Sequence, residues 1–241
     1  MTGASRGIGR AIAERLAADG VEVAVHYNSD KAGAEETLAR IGRGFRIGAE
    51  LGVPGDVEGL VAQLEAGLAG RPLDILVNNA AAPPAGPIET DTVEAFDRLF
   101  AVNVRAPYFL IQRVLPLLRD GGRIISVSTV ATRMANPTQT SFAMTKAALE
   151  TMTRTLAQSL GPRGITVNAV APGATRTDAN AAFFATPGLT DAITALTALN
   201  RLGRAEDVAD VVGFLASDQA RWLTAQTFEA SGGLFLGPQV A

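Results

Sequence analysis

The 241-residue chain contains no cysteine, which excludes disulfide bonds and thiol chemistry. It contains one histidine, His26, too few for a histidine-rich metal centre. Charge is sparse, at 19% Asp, Glu, Lys and Arg with a net charge of −3. Without a basic excess, nothing points to a nucleic-acid or membrane-surface partner. No run approaches the roughly 18–20 consecutive apolar residues of a membrane helix. No basic stretch followed by an apolar one opens the chain, so nothing in it suggests secretion. A cytoplasmic protein acting on a small molecule is the expectation. What is abundant is apolar: 47% hydrophobic residues suit a parallel sheet buried on both faces. The length suits one α/β domain with a large core.

Short apolar runs bounded by Gly, Pro or Asn predict strands over 21–27, 45–49, 73–77, 123–127, 165–171 and 227–230. Between them, apolar residues at helical spacing predict helices from Ile8 to Leu16 and over 31–43, 57–69, 96–104 and onward towards 118, 141–160, and 205–217. Asp56 reads as the N-cap of the third helix, and Gly161-Pro162 as the stop of the fifth. No internal repeat or low-complexity tract appears.

Two stretches carry chemistry. The first, Thr2-Gly3-Ala4-Ser5-Arg6-Gly7-Ile8-Gly9, is a glycine-rich turn running straight into a helical pattern. Such glycines let the backbone approach a pyrophosphate while the helix start offers it free N–H groups. Alone the motif is weak, since a plain strand-to-helix turn looks the same. The second is 129–146 (TVATRMANPTQTSFAMTK), which follows the strand over 123–127. Phe142 and Lys146, four apart, share one face of the helix that begins near Thr140. A lysine so early in a helix opposes the macrodipole and needs another reason to be there.

These residues resemble the short-chain dehydrogenase/reductase family, and in particular its 3-oxoacyl-ACP reductase-like members. There a Ser at a strand end, a Tyr thirteen residues on and a Lys four further form the active site. Thr129 stands at the Ser position, Lys146 at the Lys position and Phe142 at the Tyr position. The likeness runs from Thr2 to Leu236 and implies a single Rossmann domain over 1–241: a doubly wound parallel sheet flanked by helices. It also implies a strand before the glycine turn, so the first strand is expected to be missing or truncated. Left open in that way, two neighbouring strand edges are a liability. Asn78-Asn79-Ala80-Ala81 matches the family's Asn-Asn-Ala-Gly, with Ala81 in place of the Gly. Asn103 matches the helix asparagine that holds a water and orients the lysine.

The resemblance further implies a dinucleotide bound by Gly3, Ser5, Arg6, Gly7, Ile8 and Gly9, with Asn79, Ala80 and Lys146 along its length. Glu50 and Leu51 would bracket the adenine, with Glu50 longer than the usual Asp. Pro172, Gly173 and Thr177 would sit by the nicotinamide end, and the segment of about 178–200 would cover the substrate. A carboxylate that binds the ribose 2′-hydroxyl is expected after the second strand, where this chain has Tyr27, Asn28 and Ser29. With Arg6 nearby, that favours NADP(H) over NAD(H). His26 reads as a polar strand residue. The family assembles through its two long helices, so a homo-oligomer, tetramer or dimer, is expected.

Phe142 divides the functional readings, because a phenyl ring has no proton to give. The chain is an NADP-dependent oxidoreductase acting on a C=O or C=N bond without the Tyr acid. Alternatively it is a catalytically silent dinucleotide-binding or interaction protein, or a Tyr-to-Phe variant made to trap a complex. The retained Asn103, Thr129 and Lys146 favour the first. Ala81 and Thr129 also depart from the family, which speaks against a single laboratory change.

Overall fold

The computed structural model describes residues 1–237; residues 238–241, the end of the expected domain, lie outside the described residues. Parallel strands alternate with helices as the apolar runs require. Strands β1 (Val23–Tyr27) and β2 (Gly44–Gly48) pair in parallel, and α1 (Gly7–Ala18) and α2 (Lys31–Ile41) precede and join them. A second parallel sheet runs in the order β3 (Leu73–Asn78), β4 (Leu118–Val127), β5 (Thr166–Pro172), β8 (Thr227–Ala230). Residues Met1–Ala4 lie between the two sheets and bond to both. The N–H of Thr2 donates to Val77 O at 3.0 Å, and that of Ala4 to His26 O at 2.8 Å.

Neighbouring residues of the central strands serve opposite faces, as the pleat demands. Leu76, Ile124 and Val167 pack with α3 (Asp56–Leu68), α5 (Ala106–Val114) and the end of α6 (Thr140–Leu160). Val77, Ile125 and Val170 pack with α1 and α9 (Ala205–Ala216) on the other side. This is a doubly wound α/β fold with a core on each face of the sheet. Each of these aliphatic side chains contributes about 1.5–3 kcal/mol by leaving water.

Three local expectations are corrected. The helix expected to run from 96 towards 118 is α4 (Val93–Phe100), one π-helical stretch, Ala101–Arg105, and α5, ending at Val114. Leu118 begins β4 instead, which extends the strand expected over 123–127. Asp56 is the first helical residue of α3, not its N-cap, which is Gly55 in the left-handed region at φ +77°. Its carboxylate accepts the N–H of Gly52 and of Val57 instead. Between β5 and α9 lie β6 (Thr175–Arg176), the short helices α7 (Ala181–Phe184) and α8 (Leu189–Ala195), and β7 (Gly203–Arg204) paired with β6.

Candidate functional site

Candidate residues follow the C-terminal ends of β1 to β5 or lie on the helices between them, with the glycine turn leading into α1. The glycine turn is shaped by close backbone approach. A Cβ on Gly9 would lie 1.9 Å from Gly3 O, and one on Gly3 only 3.0 Å from the Ala80 Cα. The turn is tied down from two sides. Asn79 Nδ2 donates to the carbonyls of Thr2 and Gly3 at 3.1 and 2.9 Å, and Thr2 Oγ1 accepts the N–H of Asn79 and of Ala80. Gly3 N–H donates to His26 Nδ1 at 3.1 Å, while the opposite ring nitrogen meets Ala49 O at 3.0 Å. Burial lowers the His26 pKa to about 4, so the neutral tautomer that accepts from Gly3 persists well below neutrality. His26 is thus a support of the turn, and no reacting group.

Arg6 is the N-cap residue of α1 and makes no side-chain cap bond, so the first-turn N–H groups of Gly7, Ile8 and Gly9 face outward for an anion. Its own side chain is exposed and has no partner among the described residues. Ser5 is buried beneath it, and its carbonyl holds Arg10. Thr177 lies against the turn: a Cβ on Gly7 would meet its Cβ at 3.4 Å.

No carboxylate is free at the end of β1. Tyr27 is half-buried, Asn28 and Ser29 are exposed, and Asp30 caps α2 by accepting the N–H of Gly33 at 2.9 Å. Lys31, the first residue of α2, is exposed and unpaired among the described residues. Sequence reading had not singled it out. Leu51 is buried in the core, whereas Glu50 is exposed and ion-paired with Arg98 at 3.0 Å.

The reactive end is built by β4 and α6. Lys146 is 3% exposed and its Nζ donates to Val127 O at 2.8 Å, at the end of β4. That answers its odd place early in the helix: it is held against the strand end rather than displayed to solvent. Burial lowers its pKa to about 8. Phe142, one turn earlier and half-buried, sets its ring 5.7 Å from that ammonium, within cation–π range. Thr129 Oγ1 accepts the N–H of Ala131 at 3.3 Å, which leaves its O–H proton free to donate.

Asn103 sits in the π-helical stretch, a feature that often marks functional sites. Its Oδ1 accepts the N–H of Ala82 at 2.8 Å and its Nδ2 donates to Thr145 Oγ1 at 3.1 Å. Thr145 Oγ1 in turn donates to Phe142 O at 2.7 Å, so Asn103 clamps the 80–82 loop to α6 without touching Lys146 directly. Two further groups had escaped sequence reading. Glu150, buried one turn beyond Lys146, accepts from the hydroxyls of Ser128 and Thr132 at 2.7 and 2.9 Å. Ser141 donates to Asp91 at 2.6 Å, tying the start of α6 to the α4 entry. Glu150 lies four residues after Lys146 and shares its helix face, a spacing that was available; the Ser141–Asp91 pair spans 50 residues and left no local signal. Across the cleft, Pro172 ends β5, and a Cβ on Gly173 would meet the Ser231 Cα at 2.8 Å, so this wall is also set by backbone contact.

Among the described residues no cluster of His, Asp and Glu could hold a metal, and no helix is long and apolar enough to cross a membrane. The family described as enoyl-(acyl carrier protein) reductase matches residues 3–235. An uncharacterised oxidoreductase of Methylorubrum extorquens is 41% identical, across 97% of this chain and 96% of its own. A 3-oxoacyl-[acyl-carrier-protein] reductase of Staphylococcus epidermidis is 36% identical, across 98% of both chains. Among solved structures, the angucycline C-6 ketoreductase LanV with bound NADP is 48% identical, with a TM-score of 0.93 over 98% of this chain and 94% of that one. The reductase LugOII, described as promiscuous and as catalysing keto-reduction at C1 during lugdunomycin biosynthesis, is 50% identical, with a TM-score of 0.93 over 98% and 96%. Matched over nearly its whole length in sequence and in fold, the chain belongs to the short-chain dehydrogenase/reductase family.

Proposed function

We propose that this protein is an NADP(H)-dependent reductase of a small-molecule C=O or C=N bond that works without a tyrosine acid. The observation that carries the reading is the buried Lys146 ammonium, held at the end of β4 by Val127 O two residues before Thr129, whose O–H is free to donate. A binding-only protein has no need of Asn103, Thr129 and Lys146 together, though a recently silenced enzyme would keep them. The cofactor fits the residues present. The Gly7, Ile8 and Gly9 amides would take the pyrophosphate, Lys146 the ribose beside the nicotinamide, and Pro172, Gly173 and Thr177 the nicotinamide end. Leu51 would floor the adenine, with Glu50 turned aside to Arg98.

When bound, NADPH supplies the hydride that reduces the substrate carbon. The chain's part is to place the acceptor and manage its charge. On a carbonyl, Thr129 donates a hydrogen bond to the oxygen and Lys146 adds positive charge close by; on an iminium, the Thr129 oxygen accepts from the N–H and Lys146 serves the cofactor ribose. Phe142 supplies no proton. The site therefore suits an iminium ion, which becomes a neutral amine on taking hydride, or a carbonyl protonated by a bound water or by the substrate itself.

Cofactor choice follows from charge at the adenosine end. Arg6 and Lys31 have no ion-pair partner among the described residues, and Asp30 is consumed by its cap. NADPH is expected to bind at least about tenfold tighter than NADH, the scale of one charge-assisted hydrogen bond. Fluorescence titration of both nucleotides measures this, and equal or tighter NADH binding refutes it.

We also infer a homo-oligomer formed through α4, α5 and α6, supported by the exposed Val93 on α4, Tyr108 and Phe109 on α5 and Met144 on α6. Light scattering at micromolar concentration is expected to give a multiple of 24.9 kDa. A protomer mass would overturn the inference.

A further inference from the structure

Among the described residues, the charged side chains buried from solvent are Arg123, Lys146 and Glu150, and the last two share α6. A helix that only had to pack on the sheet would face it with apolar groups, since every buried charge loses hydration. Lys146 serves the cofactor in the function proposed above. Glu150 serves no ligand there, yet it lies four residues on, on the same helix face.

What Glu150 touches is the turn that carries Thr129. Lys146 Nζ donates to the carbonyl of Val127, the last residue of β4, at 2.8 Å. The next residue, Ser128, donates its hydroxyl to Glu150 Oε1 at 2.7 Å and its N–H to Val170 O of β5 at 2.7 Å. Thr129 follows in an extended conformation, φ −163° and ψ 151°, and caps a short 3-10 helix, Val130–Thr132. Thr132 Oγ1 lies 2.9 Å from the same Glu150 oxygen and 3.0 Å from Thr129 O, so its one proton is shared between them. A single carboxylate oxygen thus grips the residue before Thr129 and the third residue after it.

The pleat gives this grip a direction. Successive side chains of an extended segment point to opposite sides. With Ser128 drawn towards α6, Thr129 is committed to the other side, and the Thr132 hydroxyl steadies its carbonyl. The Thr129 O–H is spent on none of these bonds. The carboxylate is itself braced, because Arg133 Nη2 stands 3.9 Å from Glu150 Oε2 while Arg133 Nη1 pairs with Glu229 of β8 at 3.0 Å.

We propose that Glu150 is a positioning residue for the reduction: through Ser128 and Thr132 it holds the 128–132 turn so that the Thr129 hydroxyl meets the substrate in one rotamer. The proposal rests on the function proposed above, in which Thr129 bonds the substrate heteroatom. Glu150 touches no reacting atom. Its contribution is placement, and a misplacement of about 1 Å is enough to slow a reaction about a hundredfold.

Threonine-methyl NMR of the intact protein, free of substrate and cofactor, tests the placement directly. Thr129→Val assigns the Thr129 methyl, and three-bond couplings to that methyl report its rotamer. One rotamer is expected in the unaltered protein and in Glu150→Gln, whose amide oxygen still accepts both hydroxyls. Glu150→Ala should show averaging at Thr129 while the signal of Thr37 on α2 stays in place, the sign of a folded variant. A Thr129 methyl that keeps one rotamer in Glu150→Ala would overturn the proposal.

Kinetics give the second reading. Glu150→Ala should lower kcat for an activated ketone at least about tenfold, with KM for NADPH little changed. Glu150→Gln should recover most of that loss. In a Thr129→Val background the alanine change should cost less than about twofold, because the residue through which Glu150 acts is gone. An equal loss in both backgrounds, or a Gln variant as slow as the Ala variant, would mark a merely structural part and overturn the proposal. Should the unaltered protein transfer no hydride at all, the function proposed above fails, and the Thr129 rotamer alone decides the role of Glu150.

Discussion

Replacing Phe142 by Tyr is expected to raise NADPH-dependent reduction of activated ketones at least about tenfold, the lower part of the range for a positioned general acid. Residue 142 lies one turn before Lys146 on α6, and the ring centroid is 5.7 Å from the ammonium. A phenol there would feel a positive charge that favours phenolate, so its pKa would fall from the usual value of about 10 towards neutrality. With the free Thr129 O–H, acid and hydrogen-bond donor would then stand together at one oxygen. NADPH affinity should hardly change, because the glycine turn and Lys146 are untouched. Reduction of a preformed iminium should also stay level, since it requires no proton. Should the unaltered protein already reduce ketones as fast as the variant, another group supplies the proton. Should both forms bind NADPH but reduce neither ketone nor iminium, the silent-binding reading replaces the one proposed.

Much of this architecture was legible because buried parallel strands are nearly continuous apolar runs, and 73–77, 123–127 and 165–171 stand out between Gly, Pro and Asn. Boundaries were less so. Leu117 and Leu118 continue the apolar spacing of the helix before them, so nothing local says that the chain has already turned from α5 into β4. The π-helical stretch at Asn103 is invisible for a similar reason, since one inserted residue barely disturbs the pattern of apolar positions. In the site, spacing placed Phe142 and Lys146 on one helix face, and the family resemblance supplied the roles expected of Thr129, Phe142 and Lys146. Asn103 was found by its place, yet its bonds to Ala82 and Thr145 depend on packing between segments 21 and 42 residues apart. Asp30 shows the converse. It is the carboxylate next in sequence after Tyr27-Asn28-Ser29, but three residues on, Gly33 N–H claims it as a cap.

Lys146→Met should make the protein more stable while removing its activity. The Nζ is buried and makes one protein hydrogen bond, to Val127 O, although an ammonium has three donors to satisfy. Its pKa falls to about 8 from 10.5, so the folded state disfavours the charge by up to about 3 kcal/mol. The sign is that of a depressed base. Between pH 8 and 10.5 the unfolded chain binds more protons than the folded one, so stability rises with pH across that window. At pH 7 both states are charged and the whole cost is present. Methionine has nearly the same length, keeps the packing and carries no charge, at the loss of one hydrogen bond of about 1 kcal/mol. The variant is therefore expected to gain about 1–3 kcal/mol at pH 7, seen as a rise of several degrees in melting temperature. Its stability should also lose the increase between pH 8 and 10.5 that the unaltered protein shows. Reduction should fall at least about a hundredfold, as when a preorganised charge is removed from a site that stabilises developing charge. NADPH should bind more weakly, through loss of the ribose contact. Such a trade of stability for function is what a charge kept for chemistry predicts. A variant less stable than its parent at pH 7 would mean that the ammonium is well solvated or paired. One that reduces substrate at the parental rate would remove Lys146 from the site altogether.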